Sequence, residues 1–269
     1  MAIERETMMS NRDAVVGFEM AAPHIALVTL CRPQARNAIN GDVALALERV
    51  VMAAEADPDI WAVVLTGAGG QSFCAGADLK QVSAGGMAGL FTPAGGFAGF
   101  VDAPRRKVWI AAVEGFALAG GFEIALACDL IVAAKTASFG LPEVRRGLVA
   151  AAGGAYRLPR ALPRGIAFEL LATGDRLDAS RAHALGLVSR IAEVGEAIEA
   201  AVGLARHICG NAPLAVQESL SIARLSADLD DAALRAASHA AQARLADTDD
   251  FREGPLAFIE KREPVWKGS

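Results

Sequence analysis

What this 269-residue chain has little of narrows its chemistry first. It has only 4 cysteines and 4 histidines. Cys31, Cys74, Cys128 and Cys209 lie far apart and form no CxxC pair, the pattern of reduced thiols in a cytosolic protein. His24, His183, His207 and His239 are equally scattered, with no metal-ligand spacing, so no structural metal is expected. Blocks of like charge are absent, and 26 Lys and Arg against 31 Asp and Glu leave a net charge of −5. No nucleic-acid partner is expected from that balance, and an anionic ligand would have to be met by local basic groups or helix N-termini. A bilayer-spanning apolar run is missing too: the richest stretch, 108–134, is interrupted by Glu114, Glu123 and Asp129, so no membrane partner is expected. The opening MAIERETMMSNRD mixes acids and bases around no apolar core, unlike a secretory signal or transit peptide. A cytoplasmic protein with a flexible stretch at 1–13 is the expectation.

Two familiar catalytic or cofactor signatures are absent as well. The strand-like IWAVVL runs into TGAGGQS, which invites a dinucleotide-binding reading, but Ser72 stands where the third glycine belongs and no clean helix follows. There is no GxSxG, and no Cys or Ser sits near a histidine in a known local pattern.

What is present is apolar mass. Hydrophobic residues make up 53% of the chain and the mean hydropathy is +0.33, which points to a large core plus apolar surface buried between subunits. Strands are predicted at 24–30, 60–65, 109–113 and 130–134, with a helix over 43–56 and another starting near Gly120. That rhythm argues for a parallel sheet with crossover helices. The stretch 80–107, rich in Gly and Ala with Phe91, Phe97 and Phe100, reads as a mobile lid or pocket wall, or as a plain surface loop. From 165 onward the pattern is helical: 166–173, 179–185, 195–209, 213–226, 231–246 and 254–262.

Carboxylates in apolar surroundings carry the most information. Glu123 lies within GFALAGGFEIALACD, three residues after Gly120, and Glu143 within SFGLPEVRRG. A buried acid is costly unless it is paired, hydrogen-bonded or used. Two such acids can have their acidities pushed apart into a general base and a general acid. The structural alternative pairs Glu143 with Arg145 or Arg146, and Glu123 with some distant arginine. Gly120 at a helix start leaves a bare N–H, and the turn Cys74-Ala75-Gly76-Ala77-Asp78 offers another. Two such donors form an oxyanion hole, although for each glycine alone tight packing or a turn is the usual explanation.

In order along the chain, LCRPQARNAIN, LTGAGGQSFCAGADLK, AAVEGFALAGGFEIALACDLIVAA, ASFGLPEVRRGLV and FIEKREPVWKG resemble the enoyl-CoA hydratase/isomerase (crotonase) superfamily, with a flavour of its actinobacterial-type hydratases. The resemblance implies an α/β fold: a crotonase-like spiral core of repeated ββα units over 1–200 and a helical C-terminal trimerisation region over 201–269. It also implies a homotrimer, or a hexamer built as a dimer of trimers. The N–H groups of Ala77 and Gly120 then match the oxyanion hole, Glu123 the glutamate that deprotonates water, and Glu143 the one that exchanges a proton at the α-carbon. Ala35, Arg36, Ala75, Asp78, Leu79 and Lys80 match the lining of the CoA site, and Phe258 and Lys261 match positions that reach a neighbouring subunit's CoA. The implied partner is an acyl-CoA thioester, with no cofactor beyond the CoA carried by the substrate.

Hydration of a 2-enoyl-CoA is the leading expectation, because both glutamates are kept. The alternatives are an isomerase, a hydratase for a specialised acyl group such as crotonobetainyl-CoA, and a non-catalytic acyl-CoA binder. One departure stands out: Ala151 occupies a position that commonly carries glycine near the catalytic water.

Overall fold

The structure, a computed structural model, describes residues 15–269; the flexible stretch expected at 1–13 lies outside the described residues. Strand β1 (Val16–Ala22) turns back into β2 (Ile25–Leu30) as an antiparallel pair. Helix α1 (Gly41–Ala56) follows, its N-terminus capped by the Asn40 side chain, which accepts the Val43 N–H. Its apolar stripe, Val43, Leu47, Val50, Val51 and Ala54, is buried as the spacing predicts.

The central part of the chain contains β3 (Ala62–Gly67), β4 (Ser72–Cys74), α2 (Leu79–Ser83), the small hairpin β5 (Phe91–Thr92) and β6 (Gly96–Phe97), β7 (Val108–Val113), β8 (Phe116–Leu118), α3 (Gly120–Ala127), β9 (Leu130–Ala134) and β10 (Ser138–Gly140). After a 3₁₀ turn at Pro142–Arg146 come α4 (Gly154–Ala161), α5 (Arg164–Thr173), β11 (Arg176–Asp178), α6 (Ala179–Ala184) and β12 (Arg190–Ala192). The chain closes with α7 (Ala197–Cys209), α8 (Pro213–Leu225), α9 (Asp231–Ala246) and α10 (Asp249–Glu260).

Pairing corrects the single open sheet read from periodicity. A six-stranded sheet runs β1-β2-β3-β7-β9-β12, and a separate four-stranded sheet runs β11-β10-β8-β4. Each successive unit lays its first strand in one sheet and its second in the other: β3 then β4, β7 then β8, β9 then β10. This is the ββα spiral that the family resemblance implied. Both faces of the large sheet's central strands β3, β7 and β9 are covered, so these are buried nearly throughout instead of alternating. Val63 and Leu65 of β3 join the main core between the sheets, whereas Ala62 and Val64 face α7 on the other side.

Helix α7 spans residue 200 and packs on β3, β7 and β9. Arg224 of α8 clamps Asp129 with two 2.8 Å hydrogen bonds and also donates to the Arg105 and Lys107 carbonyls. The last helix begins at Asp249 and not at 254 as expected, because Thr248 caps the Phe251 N–H and Pro255 is accommodated inside the helix. The stretch 80–107 is a wall of the molecule: Phe97 and Phe100 are buried, and only Phe91 of its three phenylalanines is exposed.

Candidate functional site

The site forms where the loops leaving β2, β4, β8 and β10 converge. Asn37, almost fully buried, donates from its side chain to the carbonyls of Ala68 (2.9 Å) and Ser72 (2.7 Å) and accepts the Arg32 N–H. It thereby pins the LCRPQARNAIN loop against the β3–β4 turn. Arg36 then accepts the Ala75 N–H through its carbonyl, and Ile39 pairs with Ala77 in an isolated parallel bridge. Asp78 caps α2 through the Lys80 N–H and forms an ion pair with Arg32 at 3.0 Å. Ala35, Arg36, Ala75, Asp78, Leu79 and Lys80 are thus brought together around one turn, with Leu79 and Lys80 opening α2 at the surface.

The Ala77 and Gly120 turns touch. Gly76 has φ +91°, and a Cβ there would lie 2.9 Å from the Ala119 Cβ and 3.0 Å from the Gly120 nitrogen. Only glycine allows that approach. Ala119 is itself held at φ 51° and ψ −131°, a strained conformation for alanine, and it opens α3. Among the described residues, neither the Ala77 N–H nor the Gly120 N–H donates to a protein acceptor. The Phe97 ring lies over Gly120, so close that a Cβ there would sit 2.5 Å from it.

Glu123 stands in the first turn of α3, with 3% of its surface exposed. One carboxylate oxygen accepts the Gly154 N–H at 2.8 Å, and the Ala152 N–H also faces the group. Burial pushes this carboxyl up to about 7; those N–H groups and Arg157 oppose the rise, and the charge of Glu143 adds to it. Glu143, in the Pro142–Arg146 turn, is also buried, and burial raises it against the pull of its own N–H and of Arg146. Its Oε2 has no hydrogen-bond partner among the described residues.

Neither acid is neutralised in the way the structural alternative required. Arg145 pairs with Asp175, and no ion pair to Glu123 or Glu143 occurs among the described residues. Two buried acids of this kind, with pKa values raised by their surroundings, are chemically able to exchange protons and form a candidate site for proton transfer. Ala151 turns out to be exposed, and its N–H is spent on the Val149 carbonyl; the donors facing Glu123 come from positions 152 and 154.

Phe258 and Lys261 stand apart at the end of α10, which packs on α9 and exposes Phe258 almost completely. Sequence reasoning missed Asn37, the Gly154 donor and Arg157. A buried Asn between two loops leaves no local signature, and a backbone donor leaves none at all. Among the described residues no helix is long and apolar enough to cross a membrane.

Comparison with known proteins adds the family context. The family model "enoyl-CoA hydratase/isomerase" matches residues 21–269. A carnitinyl-CoA dehydratase of Proteus mirabilis is 40% identical over 246 residues, covering 90% of this chain and 94% of that protein. The solved structure of an enoyl-CoA hydratase from Mycobacterium tuberculosis superimposes with a TM-score of 0.91 at 43% identity, covering 96% of this chain and 100% of that one. A carnitinyl-CoA hydratase structure from Mycobacterium avium gives 0.74 at 45% identity, over 95% and 99% of the two chains.

Proposed function

The chain belongs to the enoyl-CoA hydratase/isomerase family, and from that premise we propose that it adds water across the 2,3 double bond of a 2-enoyl-CoA thioester. The observation that carries the reading is the pair of buried acids, Glu123 and Glu143, both raised by burial, beside two unengaged backbone donors.

The chemistry follows from where charge develops. Attack of water at C3 moves electrons through the double bond onto the thioester oxygen. The N–H groups of Ala77 and Gly120 receive that oxygen, and losing one such donor typically costs about 100- to 1000-fold in rate. Glu123 accepts the proton that water releases; the hydrogen bonds it receives from Gly154 and Ala152 favour its ionised form. Glu143 delivers a proton to C2, and its unbonded Oε2 is the oxygen free to carry it. The reaction needs Glu123 ionised and Glu143 protonated, so the active form holds one proton between them. After each turnover Glu123 holds the proton taken from water and Glu143 lacks the one it gave to C2, and exchange with solvent restores the pair. No cofactor is needed beyond the CoA of the substrate.

Assembly belongs to the same proposal. Leu256, Phe258 and Ile259 of α10 and Val265 beyond it leave apolar surface exposed, with Phe258 at 85%. A homotrimer, or a hexamer of two trimers, formed through the 201–269 region in the cytoplasm would cover it and bring Phe258 and Lys261 to a neighbour's CoA.

A second reading, hydration of crotonobetainyl-CoA, is favoured by the aromatic wall: Phe91 packs edge-on to Phe97 at 5.6 Å, and Phe97 abuts Gly120. Aromatic faces suit a quaternary ammonium group. A panel of enoyl-CoA thioesters, straight-chain and trimethylammonium-bearing, tests both. Formation of 3-hydroxyacyl-CoA that is lost in E123Q and E143Q supports hydration. Conversion of 3-enoyl-CoA without hydration supports an isomerase, and binding without product supports a binder.

A further inference from the structure

Arg157, on α4, is a cation that the mechanism above does not use. Its guanidinium donates to the Ala152 carbonyl at 3.0 Å and to the Val101 carbonyl at 2.7 Å, and lies 3.6 Å from the Asp102 carboxylate. Those partners belong to different walls of the site. Ala152 lies two residues before Gly154, whose N–H holds Glu123. Val101 follows the turn begun at Phe97, whose carbonyl accepts the N–H groups of Phe100 and Val101 and whose ring presses on Gly120. The side chain is mostly covered and crosses the face of Gly153: a Cβ there would lie 1.8 Å from an Arg157 nitrogen. Gly153 therefore has to be a glycine for the arginine to reach both carbonyls.

From this bridge we infer that Arg157 is a positioning residue that couples the wall at 95–102 to the seat of the base Glu123, and places a positive charge near Glu123. A lysine, a single point donor, does not span two carbonyls in one plane as a guanidinium does. The inference rests on the reading of Glu123 as the base. The charged groups acting on Glu123 are Glu143 from the 3₁₀ turn and Arg157 from α4, while Cys74 on neighbouring β4 is pushed up to about 12 by burial and stays neutral. Asp102 partly offsets Arg157 and is itself largely exposed.

Opposite signs make the inference testable. In R157Q the carboxylate loses a nearby positive charge, so the acid limb of kcat moves to higher pH, with the loss several-fold greater at pH 6 than at pH 9. In D102N the arginine is less offset, so the limb moves to lower pH. R157K keeps the charge and loses the planar bridge: its limb stays in place while KM for a short enoyl-CoA rises. Hydrogen exchange at 95–102 and 150–154, measured on the unliganded proteins, increases in both R157Q and R157K. A residue that only stabilised the fold would move both pH limbs in the same direction, or neither, and either result overturns the inference. Unchanged exchange in those two segments overturns it as well. If R157Q does not fold, D102N and R157K still decide the matter. If the wild-type protein hydrates no enoyl-CoA, it is the hydratase reading that fails, while the exchange data still show whether the bridge exists.

Discussion

Glu123 and Glu143 are the same residue type within electrostatic reach of one another, yet the chain seats them differently. Glu123 rises from the first turn of a regular helix and accepts backbone N–H groups from the 152–154 turn. Glu143 sits in a short 3₁₀ turn, its Oε2 bonded to nothing among the described residues. Burial raises both acids, but Glu123 is met by N–H groups of the 152–154 turn, whereas the backbone donor opposing the rise at Glu143 is its own N–H. In the proposed mechanism the division of labour between two identical carboxylates therefore comes from surroundings, and here those surroundings are mostly backbone.

Removing either acid should produce the largest effect. E123Q and E143Q are each expected to lower kcat by about 10²- to 10⁴-fold, the range for positioned acid–base groups. Because the pair acts as a unit, the double variant should be little worse than the poorer single one, which steady-state kinetics on all three proteins would check.

Disturbing the donor side comes next. G120A places a methyl 2.5 Å from the Phe97 ring, so either the ring or the N–H must move. A loss of about 100- to 1000-fold in kcat is expected. Adding F97L should restore part of it by making room, and no recovery in the double variant would mean that the ring does not set this geometry.

The pH profile separates the two seats. With Glu123 pushed up to about 7, hydration should fall about tenfold per unit below that pH. Stability has a defined sign too. A carboxyl raised from 4.5 in the unfolded chain to about 7 in the fold binds its proton more tightly when folded. Its contribution is therefore complete below about pH 4.5 and is lost as pH rises through about 7, a change of at most about 3 kcal/mol. Urea unfolding of wild type and E123Q at pH 5 and pH 8 should show wild type gaining relative to the variant at the lower pH.

The smallest effect is expected at Arg146, whose charge opposes the burial-driven rise at Glu143. R146Q should raise that acid further and move the alkaline limb upward, leaving the acid limb in place. A shift confined to the acid limb would reverse the assignment of the two carboxylates.

Much of the site was legible because its chemistry is written in residue type. A glutamate in an apolar run, two glycines before it and a second acid after LP are local signals, and the structure places them together. The helix at Gly41–Ala56 was legible through its apolar stripe. Other parts were hidden for physical reasons. Strands buried on both faces look alike whichever sheet they join, so the alternation of β3 and β4 between two sheets left no periodicity to read. Strand β1, half exposed and following a polar segment, gave too weak an alternation to separate from its surroundings. The partner of Glu123 is the backbone of Gly154, which any residue but proline could supply. Arg157 is one arginine among many until its two carbonyls are placed.

The most direct test of the account is to incubate 2-butenoyl-CoA with wild-type, E123Q and E143Q protein in deuterium oxide and follow the product by mass spectrometry, with binding measured alongside. The account predicts 3-hydroxybutanoyl-CoA carrying one solvent-derived deuterium at C2 from the wild type, and near-complete loss of product in both variants despite comparable binding. Product formed by E123Q at the wild-type rate, or bound substrate left unchanged by the wild type, would contradict it.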